Sequence, residues 1–202
     1  MTNISVLVSG GGTNLQSVID AAASGKIPDA KIVLVISSRE DAYALKRAEK
    51  AGIPTAVVSK DTAGAGAPEH APATSDTSSE LLRLLKGART DLVLTLGYMT
   101  ILAPEFIKAY EGRIINIHPS LLPRHGGRGY YGRRVHEAVL AAGDTVSGAT
   151  VHYVIDDIDK GGIIIQREVP VKEGDDAESL AARVLETEHE IIVEGVNIHL
   201  AK

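Results

Sequence analysis

The stretch Arg113-Ile114-Ile115-Asn116-Ile117-His118-Pro119-Ser120-Leu121-Leu122-Pro123 decides how the chain is read. Its isoleucine-rich run has the character of a buried strand, and the prolines that follow cannot continue a central ladder. Successive side chains on a strand face opposite ways, so Asn116 and His118 share one face while Ile115 and Ile117 share the other. An amide donor therefore stands beside a group that can carry a proton near neutral pH. Pro119 sets the pair at the carboxyl end of its strand, and Pro123 stiffens the loop behind it. In an open parallel sheet, ligands bind at that end. The same residues also fit a plain strand end whose Asn and His cap a loop.

Upstream, residues 91–96 read as another strand, and Gly97-Tyr98-Met99-Thr100-Ile101-Leu102 turns out of it before a helix that Pro104 can start. Met99, Thr100, Ile101 and Leu102 could wall an apolar recess with open backbone groups, suited to a flat heterocycle, or could simply pack in the core. At the amino terminus a strand over 4–9 runs into Gly10-Gly11-Gly12-Thr13-Asn14 and then an amphipathic helix over 15–23. A strand, a glycine turn and a helix start make an anion seat, with Gly12, Thr13 and Asn14 at its floor. A tight strand-to-helix turn is the alternative. The run lacks the third glycine of the dinucleotide fingerprint and the Gly-Lys of a P-loop. Residues 31–37 (strand), 42–50 (helix) and 55–58 (strand) continue the alternation. Residues 59–79, rich in Ala, Gly, Pro, Thr and Ser, predict a surface loop, either a lid or a tolerated insertion, before a helix over 78–87.

Downstream, Arg124 to Arg134 holds four arginines and no acid, which suggests a phosphate or carboxylate partner or else a solvated basic loop. A helix over 134–141, strands over 147–155 and 163–169 joined by the acidic loop Asp156-Asp157-Ile158-Asp159-Lys160-Gly161-Gly162, and a helix over 178–194 complete the chain. The alternation predicts an α/β fold: a mostly parallel twisted sheet with helices on both faces, Rossmann-like, with an antiparallel strand pair toward the carboxyl terminus. A single domain over 1–202 is expected.

The chain has 202 residues, of which 44% are hydrophobic and 23% charged, as in ordinary globular proteins. No apolar run approaches the roughly 18 residues of a membrane span, and the amino terminus lacks a signal-peptide pattern, so a cytoplasmic location without a membrane partner is expected. Zero cysteines exclude disulfides and thiolate chemistry. A formal charge of −5 disfavours nucleic acid as a partner.

Asn116, His118 and one acid from Asp156, Asp157 or Asp159 form a sensible set for acyl transfer without a covalent intermediate. Amine attack on a carbonyl builds negative charge on oxygen, which an amide and an imidazolium can stabilise. A carboxylate beside an imidazole favours the protonated form and helps it shuttle a proton. No Gly-x-Ser-x-Gly elbow and no His-Glu-x-x-His pair occurs, so neither a serine hydrolase nor a metal hydrolase is expected.

Ser9-Gly-Gly-Gly-Thr-Asn-Leu15, Gly97-Tyr-Met-Thr-Ile-Leu102, Asn116-Ile-His-Pro-Ser-Leu-Leu-Pro123, Ser147-Gly-Ala-Thr-Val-His152 and Asp156-Asp-Ile-Asp159 together resemble the phosphoribosylglycinamide formyltransferases, folate-dependent enzymes of purine biosynthesis. The resemblance covers nearly the whole chain. It implies Asn116, His118 and Asp159 as the catalytic set, with His152 in support. It implies Gly12, Thr13 and Asn14 as the seat of the ribonucleotide phosphate and Glu188 as the acid on its ribose. It also implies a folate pocket of Met99, Thr100, Ile101, Leu102, Asn116, Ile155, Asp156 and Asp159. The substrates implied are 10-formyltetrahydrofolate and glycinamide ribonucleotide, handled without a metal by a monomer or homodimer. The turn Arg124-His125-Gly126-Gly127 stands where many members carry Lys-aromatic-Pro-Gly. Thr100 replaces a frequent Arg. Two further readings are a hydrolase of the same folate and a nucleotide-binding module without catalysis; the first is disfavoured by the lack of an added amino-terminal domain.

Overall fold

Runs of Val, Ile and Leu alternate with amphipathic stretches through the first half of the chain, and each run folds as a strand followed by a helix. The structure, a computed structural model, describes residues 1–59 and 72–202. It divides into two compact units, Met1–Ile115 and Asn116–Lys202.

The first unit carries β1 (Thr2–Val8), α1 (Thr13–Ala23), β2 (Ala30–Ser37), α2 (Tyr43–Lys50), β3 (Thr55–Val57), α3 (Ser75–Gly87), β4 (Leu92–Thr95) and α4 (Pro104–Ala109). Its strands lie in the order β3-β2-β1-β4, and β1–β2, β1–β4 and β2–β3 are all parallel. β1 is buried along Ile4 to Val8, and α1 sets Leu15, Val18, Ile19 and Ala21 into the core. Crossovers between parallel strands are right-handed, so α1 and α2 cover one face, and the reversal from β3 back to β4 puts α3 on the other. The strand order reverses between β1 and β4. The glycine turn and the segment 97–102 leave the carboxyl ends of those two strands, where open α/β sheets bind ligands.

The second unit carries β5 (Ile114–His118), within which the division falls, then α5 (Arg133–Ala141), β6 (Val146–Tyr153), β7 (Ile163–Pro170) and α6 (Ala177–Leu200). β6 and β7 pair antiparallel as the acidic loop between them predicts, with Ala149 opposite Arg167 and Val151 opposite Ile165. α6 opens with a capping box, in which Asp176 accepts from the Ser179 N–H at 2.8 Å and Ser179 Oγ accepts from the Asp176 N–H at 3.0 Å. Leu180, Val184, Ile191, Ile192 and Val196 form its buried stripe, and it packs on β6, β7 and α5.

Two boundaries differ from the sequence pattern by three residues or more. α3 begins at Ser75 rather than 78, because Thr74 caps it with a 3.2 Å bond from the Thr77 N–H and Pro72 is already bridged to Ile101. The expected loop 59–79 therefore ends early; its lid reading falls on residues 60–71, outside the described residues. α6 continues to Leu200 rather than 194. Gly195 does not break it, since the bare Cα is what lets the helix approach β6: an added Cβ would lie 2.7 Å from Val151 Cγ1. Among the described residues no helix is long and apolar enough to cross a membrane.

Packing outweighs helix propensity at position 195. Gly195→Leu should destabilise by about 1–3 kcal/mol through overpacking, although propensity alone favours the change by roughly 1 kcal/mol. Thermal unfolding measures the balance, and a raised Tm would contradict the packing account.

Candidate active site

In the first unit the glycine turn is shaped by contacts from α2. Gly12 has φ 72°, in the left-handed region, and an added Cβ would stand 2.6 Å from Ala44 Cβ. The Ala44 N–H donates to the Gly10 carbonyl at 3.0 Å, and Arg47 Nε donates to the Gly11 carbonyl at 2.8 Å. α1 has no side-chain cap, and its first-turn residues Thr13 and Asn14 follow directly on the turn, the order an anion seat requires. Arg47 carries no sequence signal, being 36 residues from Gly11. Ser9 Oγ accepts the Met99 N–H at 2.9 Å, which ties the glycine strand to the segment 97–102. Of the four residues expected to wall a heterocycle, Thr100 and Leu102 are buried and Met99 and Ile101 partly open.

In the second unit the expected constellation converges. Asn116 and His118 project from the same face of β5, and of the three candidate acids it is Asp159 that meets His118. Asp159 Oδ2 lies 3.6 Å from His118 Nδ1, and Oδ1 lies 3.6 Å from His152 Nε2. Asp156 and Asp157 are exposed, as is Ile155, in the same loop. Asp159 adopts φ 56°, a left-handed conformation that Asp tolerates better than most residues. The loop returns so close to β6 that a Cβ on Gly161 would collide with the Tyr153 carbonyl. Only a glycine fits there, two residues after Asp159. Glu188 is buried on α6.

Hydrogen bonds fix the protonation pattern. His152 Nδ1 contacts the Tyr153 carbonyl oxygen at 2.9 Å, so Nδ1 carries the hydrogen and Nε2 is left to accept. Nε2 accepts from Asn116 Nδ2 at 3.1 Å, which sets the amide's orientation. Burial holds the His152 imidazole below its ordinary pKa, with His118 adding to the shift while the Tyr153 carbonyl and Asp159 oppose it. It is an acceptor, not a cation, at neutral pH. His118 Nε2 contacts the carbonyl oxygen of His125 at 2.8 Å. A carbonyl only accepts, so Nε2 bears the hydrogen and Nδ1 is the atom that faces Asp159. The Gly127 N–H donates to Asp159 Oδ2 at 2.9 Å.

The loop after β5 is clamped by one hydroxyl. Thr150 Oγ1 donates to the Ser120 carbonyl at 2.6 Å and accepts from the Leu122 N–H at 3.1 Å and Gln166 Nε2 at 2.7 Å. Of the four arginines in 124–134, Arg124 bonds Asp144, Arg133 bonds Glu137 at 2.8 Å, and Arg134 stacks on the Tyr131 ring. Most of the charge read as an anion site is thus engaged within the chain.

A family model described as formyl transferase matches residues 2–196. The chain belongs to the formyl transferase family. It is 43% identical over 191 residues to the phosphoribosylglycinamide formyltransferase of Haemophilus influenzae, covering 95% of this chain and 84% of that protein. With the Escherichia coli protein of the same name it shares 41% over 189 residues, 94% and 82% of the two chains. Among solved structures, glycinamide ribonucleotide transformylase 1 of Symbiobacterium toebii superposes with a TM-score of 0.87 at 38% identity, covering 98% of this chain and 86% of that one. This formyl transferase thus has relatives that match along nearly its whole length, both units included.

Three histidines in the second unit are held below their ordinary pKa: His152, His136 through burial and then His118, and His199 through burial and then Lys202. The unfolded chain binds more protons than the folded one wherever pH lies near or below the unfolded value of about 6.5, so stability falls there as pH falls, and the loss stops growing below the lowered folded values. Tm measured from pH 8 down to pH 5 should decline mainly below about pH 7. His136→Asn should flatten that slope, since His136 is buried and its Nδ1 has no hydrogen-bond partner among the described residues. An unchanged slope would contradict this assignment.

Proposed function

We propose that the protein transfers the formyl group of 10-formyltetrahydrofolate to the amine of glycinamide ribonucleotide. The observation that carries the reading is the meeting of Asp159 with His118, two groups 41 positions apart whose side chains come within 3.6 Å. The names of the relatives support the choice of substrates. The formal charge of −5 disfavours nucleic acid as the acceptor, and the reading is of a cytoplasmic enzyme, monomer or homodimer, acting on small molecules.

In this reading the glycinamide nitrogen attacks the formyl carbon, a C–N bond forms, and negative charge gathers on the formyl oxygen. Asn116 Nδ2–H and the protonated Nδ1 of His118 hold that charge. Asp159, 3.6 Å from Nδ1, faces the working nitrogen and takes part in removing the proton that the attacking amine loses. When the C–N bond to the folate breaks, the folate nitrogen takes up one proton, so the exchange is balanced and needs no metal. Gly12, Thr13 and Asn14 seat the ribonucleotide phosphate, and Glu188 accepts from its ribose hydroxyls. Met99, Thr100, Ile101, Leu102, Ile155 and Asp156 receive the pterin.

Folate absorbance followed with both substrates tests the reading. Turnover should require the ribonucleotide, and His118→Ala or Asp159→Asn should reduce kcat roughly 10²- to 10⁴-fold. Near-normal rates in either variant, or folate turnover indifferent to the ribonucleotide, would remove it. Gly12→Val should act differently, raising KM for the ribonucleotide by about 10-fold or more as charge-assisted N–H contacts are lost, with KM for the folate little changed.

A further inference from the structure

The turn from Arg124 to Gly127 serves two reactive groups at once. Its His125 carbonyl accepts the Nε2–H of His118 at 2.8 Å, and its Gly127 N–H donates to Asp159 at 2.9 Å. Local preference alone does not fix the turn's shape, because His125 has φ 51°, a region that few side-chain-bearing residues adopt, although histidine enters it more readily than most. Something outside the turn must hold it. Both side chains that could do so end on Asp144: His125 Nε2 lies 2.6 Å from Oδ2, and Arg124 Nη2 bonds Oδ1. Asp144 is itself tethered by its N–H to the Val139 carbonyl of α5 at 3.2 Å. Its carboxylate is only 9% exposed. The Tyr130 ring stands edge-on to His125, and Ser120 Oγ donates to the Arg124 carbonyl at 2.6 Å.

We propose that Asp144 and His125 are a positioning pair for His118: the carboxylate holds the His125 side chain, the held turn presents the His125 carbonyl to Nε2–H, and the ring is thereby locked with Nδ1 toward Asp159. The pair touches no substrate. It rests on the formyl-transfer reading only for the reaction that His118 serves. Without the carboxylate, His125 loses the partner that offsets its left-handed backbone. The carbonyl turns from His118, the neutral ring can then take either tautomer, and the Gly127 N–H leaves Asp159. The other ionisable groups around His118 and Asp159, His152 on β6 and His136 on α5, bond to neither the turn nor Asp144, so they cannot substitute for it.

Ring nitrogen-15 NMR of His118 in the whole, substrate-free protein tests the pair. The unaltered protein should show the neutral ring wholly as the Nε2–H tautomer. Asp144→Ala should show a mixture, with kcat lowered about 10- to 100-fold through misplacement and KM for both substrates little changed. Asp144→Asn, which keeps an acceptor oxygen for His125, should restore the single tautomer and most of the turnover. His125→Asn tolerates the left-handed backbone yet cannot reach Asp144 as the imidazole does, and carries the same expectation as Asp144→Ala should that variant fold poorly. A pure Nε2–H tautomer in either folded variant overturns the proposal. The spectrum needs no substrate, so absence of formyl transfer in the unaltered protein would overturn the functional reading while leaving this test decisive.

Discussion

The hydrogen bond from His118 Nε2 to the His125 carbonyl, 2.8 Å long, decides which ring nitrogen carries the hydrogen. An imidazole has two nitrogens with opposite roles in its neutral form, and a carbonyl can satisfy only the one bearing hydrogen. Once that role is taken, Nδ1 is the nitrogen left to face a carboxylate. Asp159 stands there at 3.6 Å, too far for a hydrogen bond. His152 repeats the logic with the nitrogens exchanged: Nδ1 is used by the Tyr153 carbonyl, so Nε2 orients the amide of Asn116. Two main-chain oxygens therefore set the orientation of three side chains.

The first unit solves a different problem with the same means. The start of α1 meets no capping side chain because a glycine occupies its cap, which is the arrangement the proposed phosphate seat would use. The turn would be loose if left to its glycines, and α2 holds it through the Ala44 N–H and the Arg47 guanidinium. The Arg47 side chain also stacks on Tyr43 and bonds Gln16, so one residue links the turn, α1 and α2.

Much of this was legible in the residues themselves. Strand alternation put Asn116 and His118 on one face, the glycine run marked the end of β1, and the acidic loop marked the hairpin of β6 and β7; each follows from local backbone rules. The choice among Asp156, Asp157 and Asp159 did not, because periodicity fails in a tight loop, where Gly161 passes close to the Tyr153 carbonyl. Asp144 and Arg47 were silent for another reason: each acts through a contact remote in sequence. The four arginines of 124–134 left an anion partner and a solvated basic loop both open, and three of them have partners within the chain, in Asp144, Glu137 and the Tyr131 ring. The carboxyl-terminal helix was read short because a glycine in a helix signals an end, whereas Gly195 marks a close approach to Val151.

Thr150 shows how little freedom such an architecture leaves to mutational drift. Its single hydroxyl hydrogen goes to Ser120, and its two lone pairs receive Leu122 and Gln166, so the oxygen's bonding capacity is full. Valine, nearly identical in outline, would strand the carbonyl of buried Ser120 and the N–H of buried Leu122, while serine would keep the oxygen and surrender only a methyl group. Random libraries of this protein selected for growth should therefore accept serine at this codon and purge valine, ranking the two by oxygen and not by shape.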